Sequence, residues 1–60
     1  MAAQRKRILE AAIACIAETG VEHMSIEDVR KAAGLSGGTI YLHFANKEEL
    51  ALAAVREFSH

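Results

Sequence analysis

Proline and tryptophan are absent from these sixty residues, cysteine occurs once (Cys15), and the aromatics are limited to Tyr41, Phe44 and Phe58. A single cysteine excludes an intramolecular disulfide, and without paired Cys/His spacing no metal site is expected. His23, His43 and His60 are too scattered along the chain to suggest one either. No apolar run approaches the roughly 20 residues of a membrane span. The basic cluster Arg5-Lys6-Arg7 is not followed by an uncharged apolar stretch, so it does not read as a signal peptide. A lone thiol fits a cytoplasmic setting. Excess positive charge is missing too: seven Lys and Arg stand against eight Asp and Glu, a net charge of −1. That is not the strongly basic balance expected of a nucleic-acid module.

What is present is an ordinary globular composition, 52% hydrophobic and 25% charged, which excludes a disordered or collagen-like chain. The length fits one domain, residues 1–60. A domain of this size buries only about 60% of its unfolded surface. Its stability therefore has to come from packed helices or from a surface that a partner covers. It also leaves little room for a walled pocket of roughly 300 Å³ or more. No enzymatic activity and no cofactor are expected.

The spacing of apolar residues predicts an all-α fold: a small bundle of three to four helices over about 3–19, 26–33, 37–44 and 47–58. In the first, Ile8, Leu9, Ala12, Ile13 and Ile16 recur at three- and four-residue intervals and share a stripe. Lys6, Arg7, Glu10 and Glu18 fall on the other side, and Cys15 lies at the stripe's edge as a small core residue. Gly20 stands where a helix ends in a positive-φ residue, with Val21 expected to pack back. Ser25 caps the second helix in an S-x-x-D pattern with Asp28, and Met24 and Val29 form a hydrophobic staple. Gly34 ends it. Ser36 is the next cap, stapled by Leu35 and Ile40, and Ile40 and Phe44 point inward together. Asn46 caps the last helix with Glu49 at its third position. There Leu50, Ala51, Ala54, Val55 and Phe58 are expected to fill one broad side, with Leu52 and Ala53 on the other.

The third helix is the odd one. It is too short to form alone, and it begins with Gly37-Gly38, each costing up to about 1 kcal/mol relative to alanine. Two readings stay open: the turn needs small residues, or a bare backbone has to approach another surface closely. Two short helices joined at Ala33-Gly34-Leu35 form a helix-turn-helix pattern, whose second helix enters a major groove. Thr39, Tyr41, His43 and, at the next helix start, Lys47 all carry donors suited to phosphate oxygens. Leu42 is an apolar group on this polar side, suited to a thymine methyl.

Several blocks carry a more specific resemblance: Arg7-Ile8-Leu9-x-Ala11-Ala12, Glu18-x-Gly20 and Ser25-Ile26-x-Asp28-Val29 lead into Ala33-Gly34-Leu35-Ser36-x-Gly38-Thr39-Ile40-Tyr41-x-His43-Phe44 and Asn46-Lys47-Glu48-Glu49-Leu50. Across residues 5–52 the chain resembles the N-terminal DNA-binding domain of the TetR family of bacterial transcriptional regulators. By that resemblance Tyr41, His43 and Lys47 grip phosphates, and Thr39 contacts a phosphate or a base edge. Ser36, Gly37, Gly38 and Leu42 approach or read the bases, and Ser25 touches the flanking backbone. The basic stretch around Arg5 would add to these contacts. The resemblance further implies double-stranded DNA with a palindromic operator as partner, and a homodimer formed through a C-terminal domain that has no counterpart here. That missing domain would also bind the small-molecule inducer.

Two positions depart from the family pattern. Arg30 stands where a small residue is usual; it either alters the packing of the two motif helices or reaches a phosphate. The Gly37-Gly38 pair leaves few base-reading groups, which gives DNA shape a share in specificity. Enzyme-like patterns are weak: Gly34–Thr39 lacks the ending of a phosphate-binding loop, and Ser36, His43 and Asp28 offer the letters of a triad without a pocket. The alternative from a different class is a helical interaction or dimerisation module that does not touch DNA. The net charge favours it. Against it, no acidic residue lies between Gly34 and Asn46, while Arg5, Lys6, Arg7 and Lys47 frame that surface.

Overall fold

A computed structural model of the chain describes residues 2–58. They form four helices: α1 (Ala2–Thr19), α2 (Ile26–Ala33), α3 (Gly37–His43) and α4 (Lys47–Glu57). No strand occurs among the described residues. The predicted ranges are reproduced to within about a residue, because the local stop and start signals operate as expected. Ser25, Ser36 and Asn46 are all extended, and their side chains accept the amide hydrogens of Asp28, Thr39 and Glu49. Each thereby satisfies one orphan donor of a first helical turn.

Among the described residues the two with positive φ are both glycines, Gly20 at +85° and Gly34 at +70°. They end their helices differently. At Gly34 the backbone closes a Schellman motif, with the Gly34 amide on the Lys31 carbonyl and the Leu35 amide on the Arg30 carbonyl, at 3.2 and 3.1 Å. At Gly20 only the simpler bond to the Ile16 carbonyl forms, at 2.8 Å. The chain then turns back on Gly20, whose carbonyl accepts from both His23 and Met24. That turn carries Met24 rather than Val21 into the core. Val21 is exposed, contrary to the sequence expectation, while Met24 is buried.

Ile8, Leu9, Ala11, Ala12, Met24, Val29, Ala33, Ile40, Phe44, Leu50, Ala51 and Ala54 make the core. Cys15 is half-buried against it, and burial pushes its thiol above the usual value. α1 is the central element and packs on both α2 and α4, whereas α3 packs on α2. Of the apolar residues of α4 and its C-cap, Leu50, Ala51 and Ala54 are buried, chiefly against α1, whereas Leu52, Val55 and Phe58 are exposed. No described helix is long and apolar enough to cross a membrane. His60 lies outside the described residues.

Candidate nucleic-acid interface

α3 is anchored from within by Ile40, fully buried, and by Phe44 at its C-cap. That anchoring fixes which residues turn outward. Gly38, Tyr41 and Leu42, at i, i+3 and i+4, form the outermost stripe, with Thr39 and His43 half-buried on its flanks. Leu42 is 83% exposed and Tyr41 56% exposed. A fully displayed leucine and a phenol on one turn of helix have no use inside the fold.

The two glycines at the start of α3 are not conformational necessities, since neither has a positive φ. Nor are they forced by packing. A Cβ on Gly37 would meet the Arg30 stem at an ordinary 3.8 Å, and one on Gly38 only the Ser36 hydroxyl at 4.0 Å. Both positions have room for a side chain that the sequence does not supply. This favours the close-approach reading over the small-residue turn.

The polar groups of the site are held by neighbours, several of them distant in sequence. The Ser36 hydroxyl accepts the Thr39 amide and shares a 2.9 Å hydrogen bond with the Thr39 hydroxyl. His43 Nε2 lies 3.0 Å from the Gln4 side-chain oxygen, which ties the end of α3 to the start of α1. The Lys47 ammonium donates to the Glu22 and Met24 carbonyls, both at 2.9 Å, and so clamps the loop before α2 to the first turn of α4. Two of its three hydrogens are thereby used, and one remains for a further acceptor. The same clamp places Lys47 beside Ser25, the residue after Met24. Ser36 and His43 each take other partners, so the residues with the letters of a triad are not linked as one.

The N-terminal basic cluster is more engaged internally than the sequence suggests. Arg5 pairs with Glu57 at 2.9 Å and lies over the Phe44 ring at 5.5 Å. Arg7 donates to the Ala33 carbonyl at 2.7 Å, capping the C-terminus of α2. Arg30 forms a two-pronged pair with Glu27, one bond of 3.1 Å from Nε and a second from Nη2, and reaches the Leu35 carbonyl at 3.5 Å. That hydrogen bond holds the Glu27 carboxyl below the usual carboxylate range. Gln4 and Glu27 were not legible as site residues, and Arg7, read as framing the surface, instead caps α2. Only the i,i+3 spacing of Glu27 and Arg30 carried a local signal.

Residues 8–58 match the model of the bacterial regulatory proteins, tetR family. The chain belongs to that family. Its four helices are the TetR-type N-terminal DNA-binding domain, and regulators of this family bind DNA. The HTH-type transcriptional repressor AcnR of Corynebacterium efficiens is 45% identical over 53 residues, covering 88% of this chain and 28% of the relative. The fatty acid metabolism regulator protein of Bacillus subtilis is 39% identical over 51 residues, covering 85% and 26%. The solved structure of the fatty acid degradation regulator FadR from Bacillus halodurans gives a TM-score of 0.84 at 39% identity. It covers 90% of this chain and 28% of that one. The chain thus spans about a quarter of the length of these TetR-type relatives.

Proposed function

We propose that this domain docks α3 in the major groove of double-stranded DNA and serves a transcriptional repressor. The observation that carries the reading is the outward stripe of α3: Leu42 and Tyr41 displayed beside a side-chain-free Gly38, on a segment with no acidic residue from Gly34 to Asn46. Leu42 meets a thymine methyl and the glycine backbone lies close to the base edges. Tyr41, His43, Thr39 and the third hydrogen of Lys47 fix the register on phosphates, as does Ser25 on the flanking backbone. Ser36 and Gly37 approach the bases at the start of α3. The whole regulator would bind as a homodimer on a palindromic operator and release it when a region outside this chain takes up a small-molecule inducer. It would work in the cytoplasm, on the nucleoid. The repressor assignment is supported by AcnR and a mycobacterial relative, both HTH-type transcriptional repressors.

The test is a fluorescence-anisotropy titration of the chain against duplex DNA at roughly 50 and 200 mM salt. Tyr41→Ala and Leu42→Ala run beside the unsubstituted chain, each checked for helicity by circular dichroism. Binding that weakens steeply with salt and drops in both variants is expected. A folded chain that ignores DNA at the lower salt would refute the reading in favour of an interaction module, whose apolar contacts need not respond to salt.

A further inference from the structure

We propose that Arg30 is a phosphate contact held in readiness by Glu27, a role that rests on the DNA-binding reading above. The Arg30 stem runs along α2 and its Cδ lies 3.8 Å from where a Gly37 Cβ would be, so the guanidinium emerges at the start of α3. Its neighbours there are protein oxygens of unequal strength. The Leu35 carbonyl is at 3.5 Å, the weak end of a hydrogen bond. Glu27 supplies the main contact, a carboxylate that meets the guanidinium fork with two oxygens. A fork satisfied by a carboxylate is equally matched to two oxygens of a phosphate.

The pair is also placed where exchange is easy. The Glu27 side chain is 59% exposed and that of Arg30 32% exposed, so the carboxylate returns to water readily when a phosphate displaces it. Arg5 likewise pairs with an exposed carboxylate, that of Glu57 at the end of α4, but two other cations near this surface are held differently. Arg7 and Lys47 are committed to backbone carbonyls, the first at the end of α2 and the second at the loop before it. Those carbonyls would be left unsatisfied if the cations swung away. Arg30 leaves behind a solvated carboxylate and gives up only the long, 3.5 Å contact to the Leu35 carbonyl. The absence of a side chain at Gly37 completes the arrangement, because a larger group there would stand between the guanidinium and an approaching strand.

The experiment compares Arg30→Ala, Arg30→Lys and Glu27→Gln with the unsubstituted chain on one duplex over a series of salt concentrations, with Tyr41→Ala as reference. Arg30→Ala should bind about tenfold more weakly at low salt, and the slope of log K against log salt should shrink by about 0.9, the loss of one phosphate contact. Arg30→Lys should keep the slope. Glu27→Gln should bind several-fold more tightly, since it removes the competing carboxylate. A merely structural pair behaves otherwise: both single variants shift thermal stability in the same direction and leave the salt slope as it was. That result, with Tyr41→Ala still weakened, overturns the Arg30 assignment alone. A chain with no salt-dependent binding overturns it together with the DNA reading.

Discussion

Replacing Gly38 by alanine separates what the fold needs from what its target needs. The residue is the second of α3, its φ is not positive, and an added Cβ would meet nothing closer than the Ser36 hydroxyl at 4.0 Å. Alanine therefore fits the folded chain without strain while narrowing the unfolded ensemble. The gain is about 0.4–1 kcal/mol, which for a domain of this size raises the melting temperature by roughly 2–8 °C. In the proposed docking on DNA the same methyl would be an intrusion. If the helix backbone lies against the base edges, overpacking of about 1–3 kcal/mol applies, a loss of roughly five- to 150-fold in affinity. Thermal melting followed by far-UV circular dichroism and anisotropy titration on the same preparation read both quantities. A variant that melts lower would show that the glycine serves the fold. One that melts higher and binds DNA undiminished would refute the close approach of α3.

Gly34→Ala should have the opposite effect on stability, since φ is +70° and the new Cβ would lie 3.4 Å from Arg7 Nη2. A loss of about 1–2 kcal/mol is expected from the left-handed conformation alone, and chemical denaturation measures it. Lys47→Met should cost about 1–3 kcal/mol by deleting the donors to Glu22 and Met24. Its denaturation midpoint should fall before DNA is ever added. The Glu27–Arg30 pair predicts a signed pH effect. Because the folded-state value of Glu27 is lowered, its contribution is present above the ordinary carboxylate pKa and disappears as the pH falls through the folded value. Melting curves of the unsubstituted chain and of Glu27→Gln should differ slightly near neutrality and converge in acid. A difference that grows on acidification would contradict the ion pair.

The local grammar of the chain was largely legible before any coordinates. Ser25, Ser36 and Asn46 announce helix starts, Gly20 and Gly34 announce stops, and the spacing of Ile40 and Phe44 fixes which side of α3 faces out. Each of these signals acts within about one helical turn, the range over which sequence patterns report directly on geometry. Readings that depended on docking fared less well. Val21 did not pack back because Gly20 closes with one bond instead of a Schellman pair, which no composition rule distinguishes. On α4 periodicity reports apolarity, whereas burial depends on what covers the helix: Leu50, Ala51 and Ala54 are buried, while Val55 and Phe58 are exposed. The basic residues were the hardest to place. Arg5, Arg7 and Lys47 find their partners 52, 26 and 23 to 25 positions away. Sequence shows their charge but not the oxygens that α2, α4 and the loop before α2 bring to them.

Those distant partners bear on whether the helix-turn-helix is a portable part. One short stretch of α1 serves the motif at three separate points. Gln4 meets His43 at the end of α3, Arg5 lies over Phe44, and Arg7 caps the last carbonyl of α2 beside the turn glycine. From the far side, Lys47 secures the approach to the α2 cap. Residues 25–44 hold the motif's sequence signature but not the means of fixing the angle between its helices. Transplanted into another scaffold, they would carry the side chains proposed to face DNA and leave behind the buttresses that aim them. For a graft that preserves aim, the unit to move is the whole of α1 through the first turn of α4.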